Sequence, residues 1–431
     1  MLKILTVLPH GICGAGVTRN SIDFTKYINS LDNNKIAADC IANSDNSFGN
    51  RSKSFDYIKT VSFLNDFKSV KDYIDNYDII ICMGAISKKR PIEEKLNFID
   101  FLDYIKSKNK MLIYINLDHK KSSLNCRMFV EEEYVNIFEK FDLIFSHSWQ
   151  GDFIKKIIEP ANIKVKNILC RGDKNIENLF GIDFEKTKTK YWKKATDKQY
   201  KTLKYLGRTN KYKGPYLVRD FHYNHLMKDG WITTIEGIDL LIGTLVELYS
   251  QVMPTKVPRH DVNLTYVKQN KTIISCIDNN KTILERNSPA YIMPIYTNEK
   301  GLERLSNCQF GIELINFKEK DDIFNKDIIE NAMFEIVATG CIPIFRKYWA
   351  ERFIVDGKPL FSYGNDAGTI FLDENNPDKS VQLMNKLADN PVMYDEWRNK
   401  AFNFYKKYYD VKNIYSIMLK NILEIFKTIK K

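Results

Sequence analysis

The chain has 431 residues, a formal net charge of +11 and 44% hydrophobic residues. That length exceeds one ordinary core and fits two domains of roughly 200 residues each. No run approaches the roughly 20 apolar residues of a membrane span, so the expectation is a soluble protein with no membrane partner. The excess of positive charge suits a polyanionic partner, although a chain this rich in Lys, Asn and Ile also carries lysine for compositional reasons.

The eight cysteines stand singly along the chain, with no CxxC pair and no histidine cluster beside them. This excludes a zinc ribbon or a disulfide framework and fits a reducing cytoplasm. The first nine residues have too short an apolar run for a signal peptide, and no small-residue cleavage site follows. Residues 2–8 read instead as a first strand. After them come Gly11, Gly14, Gly16, Val17, Thr18 and Arg19, and then an amphipathic run over 21–28. A glycine-rich turn between strand and helix lets backbone N–H groups approach phosphate or sugar oxygens. Tight turns also use glycine for backbone reasons alone.

Further apolar runs at 77–83, 111–115, 143–146 and 163–169 alternate with helical patterns. That alternation predicts a parallel, doubly wound sheet whose strand ends present ligands at one edge. The residues just after those strands are therefore candidates: Lys88, Lys89 and Arg90; Asp118, His119, Lys120 and Lys121; and 147–152. The Asp118-His119 pair also fits an ordinary turn and helix cap.

Over 171–204 the composition turns basic and poor in aliphatics, which reads as a domain boundary or as a basic helix carrying Tyr191 and Trp192. The second half opens on a short apolar run that ends at Gly207, followed by Arg208 and, five residues on, Lys213. A planar fork and a point charge so spaced can hold one diphosphate; solvated turn residues are the competing reading. Runs at 272–277, 291–296 and 310–314 read as strands. The stretch 328–345 reads as an apolar helix, a glycine C-cap at Gly340 and a buried strand. Glu330 and Glu335 lie on that helix, and a carboxylate at Glu335 can accept from both hydroxyls of a ribose. Residues 405–431 form a basic, amphipathic helical pattern with Ile414, Met418, Ile422 and Ile425 on one face.

The order and spacing of these segments resemble the DNA α-glucosyltransferases of T-even bacteriophages, retaining GT-B enzymes that move glucose from UDP-glucose to 5-hydroxymethylcytosine in duplex DNA. The likeness runs nearly end to end. It is carried by 14–18, 145–148, 151–153, 191–193, 207–209 with 213–214, 220–222, 302–304, Glu330, Glu335, Gly340 and 371–375. It implies an α/β, GT-B architecture of two Rossmann-like domains with a substrate cleft between them. Residues 1–180 form the acceptor side, with helix 405–431 packing back on it, and 181–404 form the donor side.

By the same resemblance, Gly14, Gly16, Val17, Thr18 and Arg19 face the donor from the first domain. Gly207, Arg208 and Lys213 hold its diphosphate, Glu330 and Glu335 hold the sugar nucleotide, and Asp118 with His119 carries the chemistry. Lys88, Lys89, Arg90, Lys120, Lys121 and Arg127 would bind the DNA backbone. The implied donor substrate is a UDP-sugar, with no cofactor or metal required. The implied partner is double-stranded DNA with hydroxymethylated bases, met by a monomer in the cytoplasm of an infected bacterial host.

Two departures bear on substrate. The family has His-Asp-His where this chain has Leu117-Asp118-His119, and Asp327 stands where the wider retaining pattern has a glutamate. Leu117 cannot bond a sugar 6-hydroxyl, so a donor lacking that group, such as a pentose, is a competing expectation. A glycosyltransferase acting on a surface glycan and an inactive DNA-binding relative are the other readings.

Overall fold

The computed structural model describes residues 1–9, 11, 16–31, 35–43, 58–61, 70–84, 91–116, 132–146, 158–170, 176, 178–198, 302, 306, 309–313, 331–351, 353–372 and 377–430. They divide into two units. The first takes the described parts of Met1–Gly181 and Val411–Lys431, the second those of Ile182–Asp322 and Ile329–Asp410.

The first unit is built on seven strands: β1 (Leu2–Leu8), β2 (Ile36–Asn43), β3 (Lys59–Val61), β4 (Ile79–Met83), β5 (Met111–Asn116), β6 (Leu143–Ser146) and β7 (Ile168–Cys170). They form one sheet in the order β3-β2-β1-β4-β5-β6-β7, and every pairing is parallel. The sequences explain the arrangement. Strands β4, β5 and β6 are buried at every position, as parallel strands covered on both faces must be. Alternate residues Leu5, Val7, Ile80, Cys82, Leu112, Tyr114 and Ile144 turn to one face. There they join Ile74 of α2 (Lys71–Asp75) and Phe98, Phe101, Leu102 and Ile105 of α3 (Ile92–Ser107). Helix α3 carries Glu93 and Glu94 in its first turn and Lys106 in its last, both favourable to the helix dipole.

On the other face lies α1 (Gly16–Ser30), packed on β1 and β2. The last helix of the chain covers α1 in turn, with Tyr415 edge-on to Phe24 at 5.1 Å between ring centroids.

The second unit opens with α4 (Phe184–Tyr191), whose N-cap Asp183 accepts from the Lys186 N–H at 3.0 Å. Its sheet is β8 (Phe310–Glu313), β9 (Ile342–Arg346) and β12 (Ile370–Leu372), parallel in the order β12-β9-β8. Strands β10 (Ile354–Val355) and β11 (Lys358–Pro359) make a separate antiparallel pair. The helices are α5 (Asn331–Ala338), α6 (Lys347–Ala350), α7 (Pro377–Ala388) and α8 (Pro391–Tyr409), followed by α9 (Val411–Ile429), which returns to the first unit.

The sequence expected one helical pattern over 405–431; the structure breaks it at Asp410. That residue is extended, pairs with Ile182 and accepts the Phe184 N–H on its own carboxylate at 3.3 Å. Long-range bonds thus end α8 at Tyr409, inside the second unit, and start α9 afresh. Strands β2 and β3 were not foreseen. Asp39 interrupts β2 with an exposed carboxylate, and β3 is three residues long. The run expected as a strand over 163–169 pairs only from Ile168.

Candidate functional site

All seven strands of the first sheet point the same way, so their carboxyl ends share one edge. Strand order reverses between β1 and β4, and in such sheets the crevice beyond that switch point takes the ligand. The segments leaving this edge after β1, β4, β5 and β6 are those that the sequence singled out. After β1 the chain turns at Gly11, whose φ is +83° and whose N–H returns to Leu8 O at 3.1 Å, and α1 then begins at Gly16. After β4 it turns at Gly84, with φ +79° and its N–H on Ile115 O at 3.1 Å.

The ends of β5 and β6 are tied by Asn116 Nδ2 donating to Ser146 Oγ at 3.0 Å, both buried. The residues following Asn116 are Leu117, Asp118 and His119. Spacing alone gave no sign of that Asn–Ser tie, which brings together residues thirty apart.

The first turn of α1 contains Gly16, Val17, Thr18 and Arg19. Thr18 is fully buried. Two further polar atoms, Thr6 Oγ1 of β1 and Asn20 Oδ1 of α1, are buried with no hydrogen-bond partner among the described residues.

In the second unit Glu335 sits on α5 with only 2% exposure. Its helix has an unusually complete C-terminus. The Gly340 N–H donates to Val337 O and the Cys341 N–H to Ile336 O, both at 3.0 Å, with Gly340 left-handed at φ +78°. This is a Schellman cap. Glu335 O accepts twice from Thr339, from its N–H at 3.0 Å and its Oγ1 at 2.7 Å. The remaining carbonyl, Ala338 O, accepts from the indole Nε1 of Trp192 at 2.8 Å. Strand β8 lies so close to α5 that a Cβ at Gly311 would stand 2.5 Å from Ile336.

Of the candidate residues, Glu335, Thr18 and the backbone of Gly16, Val17 and Arg19 are among those described. Gly14, Lys88, Lys89, Arg90, Asp118, His119, Lys120, Lys121, Arg127, Gly207, Arg208, Lys213 and Glu330 lie outside the described residues.

One doubly wound parallel unit with glycine turns at its switch point and a second parallel α/β unit with a buried carboxylate on its helix make a two-unit α/β protein, a class whose strand ends commonly take nucleotides. The family model "DNA alpha-glucosyltransferase" matches residues 15–391. The chain belongs to that family and is a glycosyltransferase.

Similarity to individual relatives extends over the whole length. The DNA alpha-glucosyltransferase of Enterobacteria phage T4 is 26% identical over 417 residues, 95% of this chain and 96% of its own. A solved alpha-glucosyltransferase in complex with UDP-glucose and DNA containing an abasic site superposes with a TM-score of 0.68 at 19% identity, covering 100% of both chains. One in complex with UDP and a 13-mer DNA containing a HMU base gives 0.66 at 19% identity, covering 99% of each. The fold is GT-B, as the resemblance implied.

Proposed function

We propose that the enzyme transfers glucose from UDP-glucose, with retention, to the hydroxymethyl group of 5-hydroxymethylcytosine in double-stranded DNA, in the cytoplasm of an infected bacterium. The observation that carries this reading is family membership over residues 15–391, joined to 26% identity with the phage T4 enzyme along 95% of the chain.

Each residue has a role set by its chemistry. Arg208 and Lys213 bind the diphosphate and offset the charge that builds on departing UDP, which is preorganised electrostatic stabilisation. Glu335, already buried on a capped helix, accepts from the ribose hydroxyls, and Glu330, five residues earlier in the sequence, assists. The stretch between β1 and α1, with Gly14, and the first turn of α1, Gly16 to Arg19, present backbone N–H groups to donor oxygens.

The substitution proceeds on one face of the sugar. As the bond from the anomeric carbon to UDP breaks, the hydroxymethyl oxygen attacks from the same side and its proton passes to the leaving phosphate oxygen. Asp118, with His119, orients that hydroxymethyl group and stabilises positive charge at the anomeric carbon. Base pairing keeps the acceptor from a deep pocket, so the base is flipped at a cost of a few kcal/mol. Lys88, Lys89, Arg90, Lys120, Lys121 and Arg127 supply backbone contacts that offset it.

A second reading rests on Leu117, which offers no hydrogen bond to a sugar 6-hydroxyl; it keeps the acceptor and replaces glucose with a pentose. The test is the mass spectrum of nucleosides from hydroxymethylated duplex DNA incubated with the enzyme and a panel of UDP-sugars. A hexose increment on 5-hydroxymethylcytosine supports the first reading and a pentose increment the second. No increment from any donor overturns both.

A further inference from the structure

The segment 182–194 does more than join the two units. It enters the second unit at Ile182, forms the Asp183-capped α4 and ends with Trp192 laid against the C-terminus of α5. The indole ring faces Gly340 so closely that a Cβ there would stand 3.1 Å from it. Phe402 of α8 meets the ring edge-on at 5.2 Å, and the Arg398 guanidinium lies over it at 4.5 Å. Arg398 in turn donates to Lys193 O at 2.7 Å and pairs with Asp395 at 2.8 Å.

The ring is thus held from several sides, and its Nε1–H serves the one carbonyl of the last turn of α5 that the Schellman cap leaves over. Glu335 stands in that same turn. A carboxylate that must meet two hydroxyls tolerates little displacement, since hydrogen bonds weaken steeply as distance and angle drift.

The geometry points to Trp192 as a positioning residue for the sugar nucleotide: through its bond to Ala338 O it fixes the last turn of α5, and with it the Glu335 carboxylate. This rests on the reading of Glu335 as the ribose-binding group. It adds a determinant of donor affinity that touches no substrate and arises in the segment linking the two units.

Trp192→Phe keeps an aromatic ring against Phe402 and Gly340 and removes only the N–H. The expected result is a KM for UDP-glucose raised about five-fold, the factor that loss of one ordinary hydrogen bond produces. The kcat and the affinity for DNA should stay within about two-fold. A double-mutant cycle with Glu335→Gln completes the test, because residues acting through one contact are non-additive. Trp192→Phe should add little once Glu335→Gln has removed the charge.

A fall in kcat at unchanged KM, or full additivity, overturns the inference. If Glu335→Gln leaves donor KM unchanged, the ribose assignment itself fails, which separates the two outcomes. Should Trp192→Phe lower thermal stability too far for turnover assays, calorimetric titration of UDP in the cold reads the same comparison.

Discussion

Asn116 donates its side-chain amide to Ser146 Oγ at 3.0 Å, joining the carboxyl ends of β5 and β6 where the chain departs toward Asp118 on one strand and His147 on the other. Both groups are buried, so removing one deletes a buried hydrogen bond. Asn116→Ala should cost about 1–3 kcal/mol of first-unit stability. It should also lower kcat more than donor KM, because it loosens the base of the segment carrying Asp118. Urea denaturation and steady-state kinetics check the two halves separately.

Leu117 sets the second prediction. If it relieves the enzyme of a 6-hydroxyl contact, Leu117→His should raise kcat/KM for UDP-glucose relative to UDP-xylose by about ten-fold, the upper range for gaining one ordinary hydrogen bond. Competition between the two donors, read by nucleoside mass, gives that ratio directly.

Arg208 and Lys213 differ in kind. A guanidinium can bind a diphosphate through two parallel bonds and an ammonium cannot. Arg208→Lys should therefore lose most of what Arg208→Ala loses. Each alanine variant should lower kcat by about 10²–10³, the usual effect of deleting one group that stabilises departing charge. Single-turnover rates at saturating donor separate this from lost affinity.

DNA binding should weaken steeply with salt. Each phosphate contact contributes about 0.9 to the slope of log affinity against log salt. Charge reversal at Lys120 and Lys121 should flatten that slope by about two units, with UDP affinity unchanged. An unchanged slope would place these lysines away from the DNA.

The described thiols should be inert. Burial disfavours the thiolate, pushing Cys40 up to about 12 and raising Cys82 and Cys341 as well, the last despite the opposing charge of Lys198. Near pH 8 iodoacetamide should leave Cys40, Cys82, Cys170 and Cys341 unmodified in native protein and alkylate all four in denaturant, as peptide mass mapping would read.

Much of the fold was legible because buried parallel strands have a plain signature. The runs of β4, β5 and β6 are apolar up to the Asn116 and Ser146 that end β5 and β6, and they are too short to compete as helices. Strand β2 hid because Ala37, Ala38 and Asp39 dilute it. Its place depends on pairing with β1, which is information from another part of the chain. The break at Asp410 hid for the same reason: its cause is a bond to Phe184, 226 residues away.

In the candidate site, the buried helical position of Glu335 could be read from a carboxylate set among apolar neighbours. The service that Trp192 gives to that helix could not. Its partner is a backbone carbonyl 146 residues on, and no side-chain pattern records which carbonyl a Schellman cap leaves over.

The first unit is closed by α9, a helix that follows the whole second unit in the chain. Ile414, Tyr415, Met418, Leu419 and Ile422 of α9 are buried, and Tyr415 lies edge-on to Phe24 of α1. On the ribosome, the half that emerges first must wait for the whole second unit to pass before α9 arrives to cover α1. Nascent-chain folding is therefore out of step with chain order, and a premature stop before Val411 would spoil the amino-terminal half of the enzyme, far from the lesion in sequence.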